Sequence, residues 1–339
     1  MKMLLIGDPH LKITRFDLAK QFLHWINQVI SEHKPDVVVN LGDTFDTHAV
    51  VRSEIMAEFK KHVQHATGLG IRYFYILGNH DFYTPKSSKY HALQSMEDLP
   101  KFHVISKRTD FPGITMVPHL PDHTQFPKDV NPVCIAHQTF VGADYGYMRP
   151  EVGVDAGAVN AEIIISGHIH VRQEFGKVIY PGTPYAQSVN DIDQHKGVLL
   201  FNTETYDKKF IESPLPRWLG IKAEIDQSFS VEDLHNDLSQ YLDSTNHWVV
   251  EITGPKAEIL AYLGSKQFKG VTKGVDIKVN TKFTDKKKQQ IQIEALSMEH
   301  IVDEYVNKVY KGSLDRKEIS SKALEILNKV RQGQAKAHL

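Results

Sequence analysis

Carboxylates, an asparagine and imidazoles recur along this chain just where short apolar runs stop. The first run closes in Gly7-Asp8-Pro9-His10 and the second in Gly42-Asp43-Thr44-Phe45-Asp46. The third closes in Gly78-Asn79-His80-Asp81, the fourth in Ala136-His137-Gln138 and the fifth in Gly167-His168-Ile169-His170. These side chains offer carboxylate or amide oxygen and imidazole nitrogen, with no thiolate. That donor set suits Mn²⁺, Fe²⁺ or Zn²⁺ better than a sulfur-loving ion. Asp8 and His10 are one residue apart and can project to one side of an extended chain, as can His168 and His170. Asp8, His10, Asp43, Asn79, His137, His168 and His170 could share two divalent ions through one bridging carboxylate. Positions would be left for water and a phosphate oxygen. Two ions about 3.5–4 Å apart can generate hydroxide and clamp an in-line phosphoryl displacement. A single histidine is more often a satisfied core residue; the recurrence at successive strand ends carries the reading.

The elements that must hold these residues are legible as patterns. Met3–Ile6, Val37–Val39, Tyr73–Leu77, Val133–Ala136 and Ile163–Ile165 are brief and rich in β-branched residues, as buried strands are. Phe16, Ala19, Leu23, Ile26 and Ile30 mark one face of a helix, with Thr14 and Asp17 placed for a capping box. Ile55, Phe59, Val63 and Ala66 mark a second helix, closed by Gly68 and Gly70. The fold class expected is α/β: a two-layered, sandwich-like core flanked by helices, with the site at the strand ends. Glycines ahead of the key residues allow sharp turns there.

At Ser213-Pro214-Leu215-Pro216 the texture changes to that of a linker. Beyond it the pattern predicts strand Leu219–Ile225, helix Val231–Leu242, strand Trp248–Thr253, helix Ala257–Ser265 and strand Val275–Phe283. Lys286, Lys287 and Lys288 follow, then two amphipathic helices, Met298–Tyr310 and Arg316–Arg331. The division expected is a core over residues 1–212, a small α+β capping unit over 217–285 and a helical segment over 296–339.

Composition narrows the classes. Hydrophobic residues are 41% of the 339, enough for a sizeable core. Forty basic and 41 acidic residues leave a formal charge of −1, so a nucleic-acid partner would need a local basic footprint. Cys134 is the single cysteine, which excludes a disulfide within the chain and a cysteine zinc site. It fits a reducing, cytoplasmic setting. The apolar stretch near the N-terminus is too short for a signal core or a membrane span.

In order and spacing, GDPH, GDTFD, GNHD, AHQ and GHIH resemble the five signatures of the calcineurin-like metallophosphoesterase superfamily. The spacing is most similar to its double-strand-break repair and recombination branch, the SbcD-type nuclease subunits and their phage versions. Five ordered motifs are a specific signal, covering roughly residues 1–185. The resemblance implies one metal on Asp8, His10, Asp43 and His170. It implies a second on Asp43, Asn79, His137 and His168, with Asp43 bridging. His80 would be the catalytic residue, stabilising the transition state or protonating the leaving oxygen. Tyr180–Pro184 resembles a post-site element of the family. The ions would be Mn²⁺ first, with Mg²⁺, Fe²⁺ or Zn²⁺ as alternatives.

The resemblance further implies 3′-to-5′ duplex exonuclease and single-strand endonuclease action on DNA, in a homodimer with an SbcC-like ABC/SMC-type ATPase. The chain has no GxxxxGK[ST] loop, so ATP hydrolysis would belong to that partner. Some relatives place a histidine directly after GDxF; this chain has Asp46, with His48 close by. Both are candidate neighbours of the site, and the departure bears on the balance of exonuclease and endonuclease action.

Other readings stay open. Cys134 reads as a small core residue, and His119 as a loop-packing residue first and a neighbour of the site second. Lys282 and the lysines at 286–288 read first as a solvated connector and second as contacts to phosphates. The terminal helices could pack on the body or dock on a partner. An esterase acting on nucleotides or phosphoproteins is the second functional reading, and a non-catalytic module on the same fold the third.

Overall fold

The computed structural model describes residues 1–48, 51–84, 87–146, 148–150, 152–284, 306 and 315–331. Residues Met1–Thr284 form one compact unit and Asp285–Leu339 a second. In the first unit, β1 (Lys2–Ile6), α1 (Phe16–His33), β2 (Val37–Asn40), α2 (Ser53–Gly68) and β3 (Arg72–Ile76) run in succession. A hairpin β4–β5 (Phe82–Thr84, Ser87–His91) follows, then β6 (Phe102–Ile105), β7 (Thr109–Phe111), β8 (Ile114–Val117) and β9 (Val133–His137). Next come β10 (Ile163–Gly167), β11 (Gln173–Phe175), β12 (Val178–Tyr180), β13 (Gly197–Asn202) and β14 (Lys208–Glu212).

These strands make two six-stranded sheets, ordered β14-β13-β1-β2-β3-β6 and β11-β12-β10-β9-β8-β7. In the first, β1, β2, β3 and β6 are parallel; in the second, β12, β10, β9 and β8 are. The core is therefore α/β in two layers. Side-chain alternation explains the continuous apolar runs, because both faces of each central strand are covered. On β1, Leu4 and Ile6 face the helices with Phe22, Ile26, Phe59 and Val63, while Met3 and Leu5 face the other sheet with Ile135 and Ile165. Each such fully buried aliphatic side chain contributes roughly 1.5–3 kcal/mol. Helices α1 and α2 cover the first sheet. The outer face of the second is covered by loop residues including Phe126, Val130, Phe140, Val154 and Val159.

Two local expectations differ from the structure, and some strands were not expected at all. The Thr14/Asp17 capping box does not form: a 3₁₀ turn, Ile13–Arg15, leads into α1, Arg15 sits at the cap with no side-chain bond, and Asp17 pairs with Lys20 at 2.8 Å. The segment around Ser213–Pro216 is held against the core, with Ser213 N–H donating to the Lys196 carbonyl and Leu215 buried in the helix-side cluster. Strands such as β7 and β11 carried no pattern to read, being three residues long with two of the three polar.

Beyond it lies a parallel three-stranded sheet of β15 (Trp218–Glu224), β16 (His247–Gly254) and β17 (Asp276–Phe283). Its crossovers are α3 (Val231–Tyr241) and the pair α4 (Lys256–Gly264) and α5 (Lys266–Val271). Ser230 and Asp233 form a capping box at the start of α3. Leu234, Leu238, Ile259 and Tyr262 close over Val250 and Ile252 in a separate small core. Asp193 joins this sheet to the rest of the unit, its N–H donating to the Trp218 carbonyl at 2.9 Å and its carboxylate accepting from Gly220 N–H at 3.1 Å. In the second unit, α6 spans Arg316–Arg331. The expected helix Met298–Tyr310 and the lysines at 286–288 lie outside the described residues, Val306 excepted.

Candidate metal centre

Parallel strands end on the same side of their sheet. The turns after β1, β2 and β3, which are neighbours in one sheet, therefore meet the ends of β9 and β10, neighbours in the other. Asp8 and His10 follow β1, Asp43 follows β2, Asn79 and His80 follow β3, and His168 and His170 follow β10. His137 is the last residue of β9. The turns are tight: His10, Asp43 and His168 have φ of 42°, 50° and 84°. This left-handed region is costly for side-chain-bearing residues and is held by the surroundings. Close approach is as strict. A Cβ on Gly78 would sit 2.1 Å from Asp43 Oδ1 and 2.7 Å from the His137 ring, and one on Gly42 would sit 2.6 Å from His137 Nδ1.

Two groups of donor atoms result, Asp8 with His10 and His170, and Asp43 with His137 and His168. In the first, His10 Nε2 lies 3.0 Å from His170 Nε2, and Asp8 Oδ2 lies 3.9 Å from His170 Nε2. In the second, His137 Nε2 lies 3.3 Å from Asp43 Oδ2 and 3.3 Å from His168 Nδ1. Asn79 Oδ1 joins it, 2.8 Å from His168 Nδ1 and 3.2 Å from His137 Nε2. His137 Nδ1–H donates to the Leu41 carbonyl at 2.7 Å, which fixes the tautomer and leaves Nε2 as the lone-pair atom. Lone pairs are aimed at lone pairs, and Asp8 Oδ1 is buried without a hydrogen-bond partner. Buried acceptors in this arrangement call for cations. The residues present fit divalent metals of the nitrogen- and oxygen-binding kind.

Electrostatics agree with that fit. Burial pushes His168 down to about 3 and His170 to about 4, in the second case with help from the Lys196 cation. It also drives His10 well below the usual range. These imidazoles are therefore neutral, the form that binds metal. Burial raises Asp8. Burial opposes ionisation of Asp43 as well, yet His137 beside it draws Asp43 strongly down. His137 is raised against its own burial by Asp43 and Asp8.

His80 sits beside these groups. Its N–H donates to Asp43 Oδ1 at 2.8 Å, and its Nδ1 lies 3.2 Å from the Asp46 carbonyl. Its ring meets His10 edge-on at 4.9 Å and stacks on His48 at 4.2 Å. Both neighbours expected from sequence are thus in contact with His80, His48 through its ring and Asp46 through its backbone. The Asp46 carboxylate pairs with Lys12 at 3.2 Å.

Several supporting residues escaped the sequence reading. Asp81 is fully buried and accepts from Gly78 N–H at 2.8 Å, Asp43 N–H at 3.0 Å and Tyr75 O–H at 2.8 Å, holding the Asp43 and Asn79 turns together. Asn40 accepts from Gly42 N–H at 3.0 Å and donates to Thr44 at 2.8 Å. The signals were present: an acid inside the GNHD motif and a polar residue ending an apolar strand. His119 follows β8, another parallel strand end, and its ring stacks on His168 at 5.6 Å and meets His137 edge-on at 5.9 Å. It lines the centre, the second of the two readings its sequence position offered, and not the loop-packing role put first. Cys134 is buried in the core, its thiol pushed up to about 12 by burial.

Comparison with known proteins agrees with this geometry. Residues 1–172, slightly more than half of the chain, match the family described as calcineurin-like phosphoesterase. The chain belongs to that family. The matched residues carry β1 to β10 and the turns just described, and β11 to β14 complete the two sheets beyond the match. The chain is 26% identical over 251 residues to 244L of Invertebrate iridescent virus 6, provisionally named a phosphoesterase, covering 65% of this chain and 86% of that one. It is 26% identical over 230 residues to exonuclease subunit 1 of Enterobacteria phage T4, covering 62% of this chain and 67% of that one. A second viral protein provisionally named a phosphoesterase, 078R of Invertebrate iridescent virus 3, is 25% identical over 219 residues, 56% of this chain and 60% of the relative.

Proposed function

We propose that this phosphoesterase is a DNA nuclease subunit that hydrolyses phosphodiester bonds with two divalent ions, Mn²⁺ first. The observation that carries the reading is the pairing of two donor groups at one edge of the sandwich with His80 beside them. The likeness to a protein named exonuclease subunit 1 supports the choice of DNA. Asp8, His10 and His170 would hold one ion, Asn79, His137 and His168 the other, and Asp43 both. Bound there, the pair of ions supplies Lewis acidity toward water and the phosphoryl oxygens.

The rest is the work of the chain. Leu41 fixes the His137 tautomer, and Asp81 sets the turns that carry Asp43 and Asn79. The Asp46 carbonyl accepts a hydrogen bond from Nδ1–H of His80, so Nε2 is the atom left for the substrate. From there His80 would stabilise charge on the phosphoryl group or deliver a proton to the departing sugar oxygen. His48, stacked on the ring, would fix its plane.

In this reading the three-stranded sheet within residues 217–285 helps select or distort the substrate. The segment 296–339 docks an SbcC-like ATPase in a homodimeric complex in the cytoplasm. No described helix is long and apolar enough to cross a membrane.

The test is loss of label from 3′-labelled linear duplex DNA with Mn²⁺, comparing wild type with His80→Ala, while a chromogenic phosphodiester is run in parallel. Cleavage by the wild type, reduced about 10²–10⁴-fold in the variant, is the expected result for a general acid. Turnover of the small ester with no action on DNA, even with the ATPase added, would replace this reading with a nucleotide or phosphoprotein esterase.

A further inference from the structure

Behind His10 and His170 lies an ion pair that none of the five motifs contains. Lys196 Nζ and Asp191 Oδ1 are 2.6 Å apart, with side chains only 3% and 7% exposed. Burying two charges is costly unless the remaining protons and lone pairs are satisfied. Here they are. Lys196 donates its other protons to the His170 carbonyl at 2.9 Å and to Gln194 Oε1 at 2.8 Å. Asp191 Oδ2 accepts from Gln187 N–H at 2.8 Å and Ser188 N–H at 3.1 Å. The Gln187 side chain then donates to the Pro9 carbonyl at 2.8 Å.

Pro9 lies between Asp8 and His10, so the network grips the chain on both sides of the His10–His170 contact. The His170 carbonyl also accepts from Thr183 N–H at 3.1 Å, which leaves it no second arrangement. His10 sits in the left-handed region and its own Nδ1 has no partner, so its ring is fixed by what holds the backbone around it.

We propose that Lys196 and Asp191, acting through Gln187 and the two carbonyls, are positioning residues for the His10/His170 half of the metal centre. They set the spacing of the two imidazoles and hence the affinity of that half for a divalent cation. The physical reason is preorganisation: ligands already held at the working distance lose less freedom when the ion binds. Asn79, His137 and His168 of the other half are braced by Leu41, Asp81 and Asp8, with Asp43 common to both halves, and Lys196, Asp191 and Gln187 make no hydrogen bond to any of these ligands. The inference rests on the two-ion reading above.

The experiment is a Mn²⁺ titration by calorimetry and electron paramagnetic resonance on the full chain, with the melting temperature of each metal-free protein measured alongside. Wild type should bind two ions with a coupled-pair signal. Lys196→Met should bind one ion as wild type does and the other about 10–100-fold more weakly, the range for loss of an outer partner. The coupled signal should give way to that of an isolated ion. Gln187→Ala, which cuts the tether to Pro9 and leaves the ion pair, should weaken the same ion less, and it carries the test if Lys196→Met does not fold. Wild-type affinity at both sites, or equal weakening of both with a lowered melting temperature, would show plain structural support and overturn the proposal. A wild-type protein that binds fewer than two ions would overturn the two-ion reading itself, before any substitution is made.

Discussion

Asp43 does different jobs through different atoms. Its backbone N–H donates to Asp81, its carbonyl accepts from His10 N–H at 3.0 Å, and its carboxylate takes His80 N–H on one oxygen and faces His137 with the other. It therefore ties the turn after β2 to those after β1 and β3 and to the end of β9. Replacing it with asparagine keeps the shape and removes the negative charge that faces His137 and both donor groups. Asp43→Asn should lose activity on any phosphodiester by at least about 100-fold, beyond what an outer partner alone would cost. Mn²⁺ stoichiometry should fall with it. Retained stoichiometry and rate would contradict the assignment of Asp43 to both ions.

Helix α2 shows how an element is locked to the sheet beneath it. Its stripe Ile55, Phe59, Val63 and Ala66 supplies the apolar contact, but the fully buried His62 supplies direction. His62 Nδ1 lies 2.6 Å from Asn27 Oδ1 on α1 and Nε2 lies 3.1 Å from the Tyr73 hydroxyl on β3, contacts that a neutral ring satisfies by donating from Nδ1 and accepting at Nε2. Burial pushes its pKa from 6.5 down to about 3. The folded protein thus keeps this ring neutral where the unfolded chain protonates it. The unfolded state binds the extra proton below about pH 6.5, so stability falls as pH falls. The loss is up to about 1.4 kcal/mol per pH unit, continuing toward about pH 3 and absent above the unfolded pKa. In urea melts between pH 7 and 4, His62→Gln should show a shallower decline than wild type. An unchanged slope would assign the acid sensitivity elsewhere.

At the scale of the whole molecule, two sheets with parallel centres bring one edge each to a single place. The helical end of the chain belongs to a separate unit. Removing residues 296–339 should leave Mn²⁺ binding and turnover of a small phosphodiester as in the full chain, while abolishing association with the proposed ATPase. Co-purification of the truncated chain with that ATPase would move the docking surface into the first unit. The small parallel sheet has its own core of Leu234, Leu238, Val250, Ile252, Ile259 and Tyr262; its three strands and the helices α3 and α4 were readable to within one residue, and the short α5 was not. Short edge strands such as β7 and β11 were not readable, because three residues display no periodicity and their pairing is decided by distant neighbours.

The sequence by itself determined the donor atoms, their order and the strand after which each appears. Residue type limits chemistry, and a buried parallel strand announces itself locally as an apolar run. It also determined the α/β class, since helix and strand periods are properties of neighbouring residues. It could not decide which donors meet. His10 and His170 are 160 positions apart and lie 3.0 Å from each other only because β1 and β10 end at the same edge of facing sheets. The brace of Lys196, Asp191 and Gln187 was invisible for the same reason: each is an ordinary polar residue until the fold buries it and leaves it one set of partners.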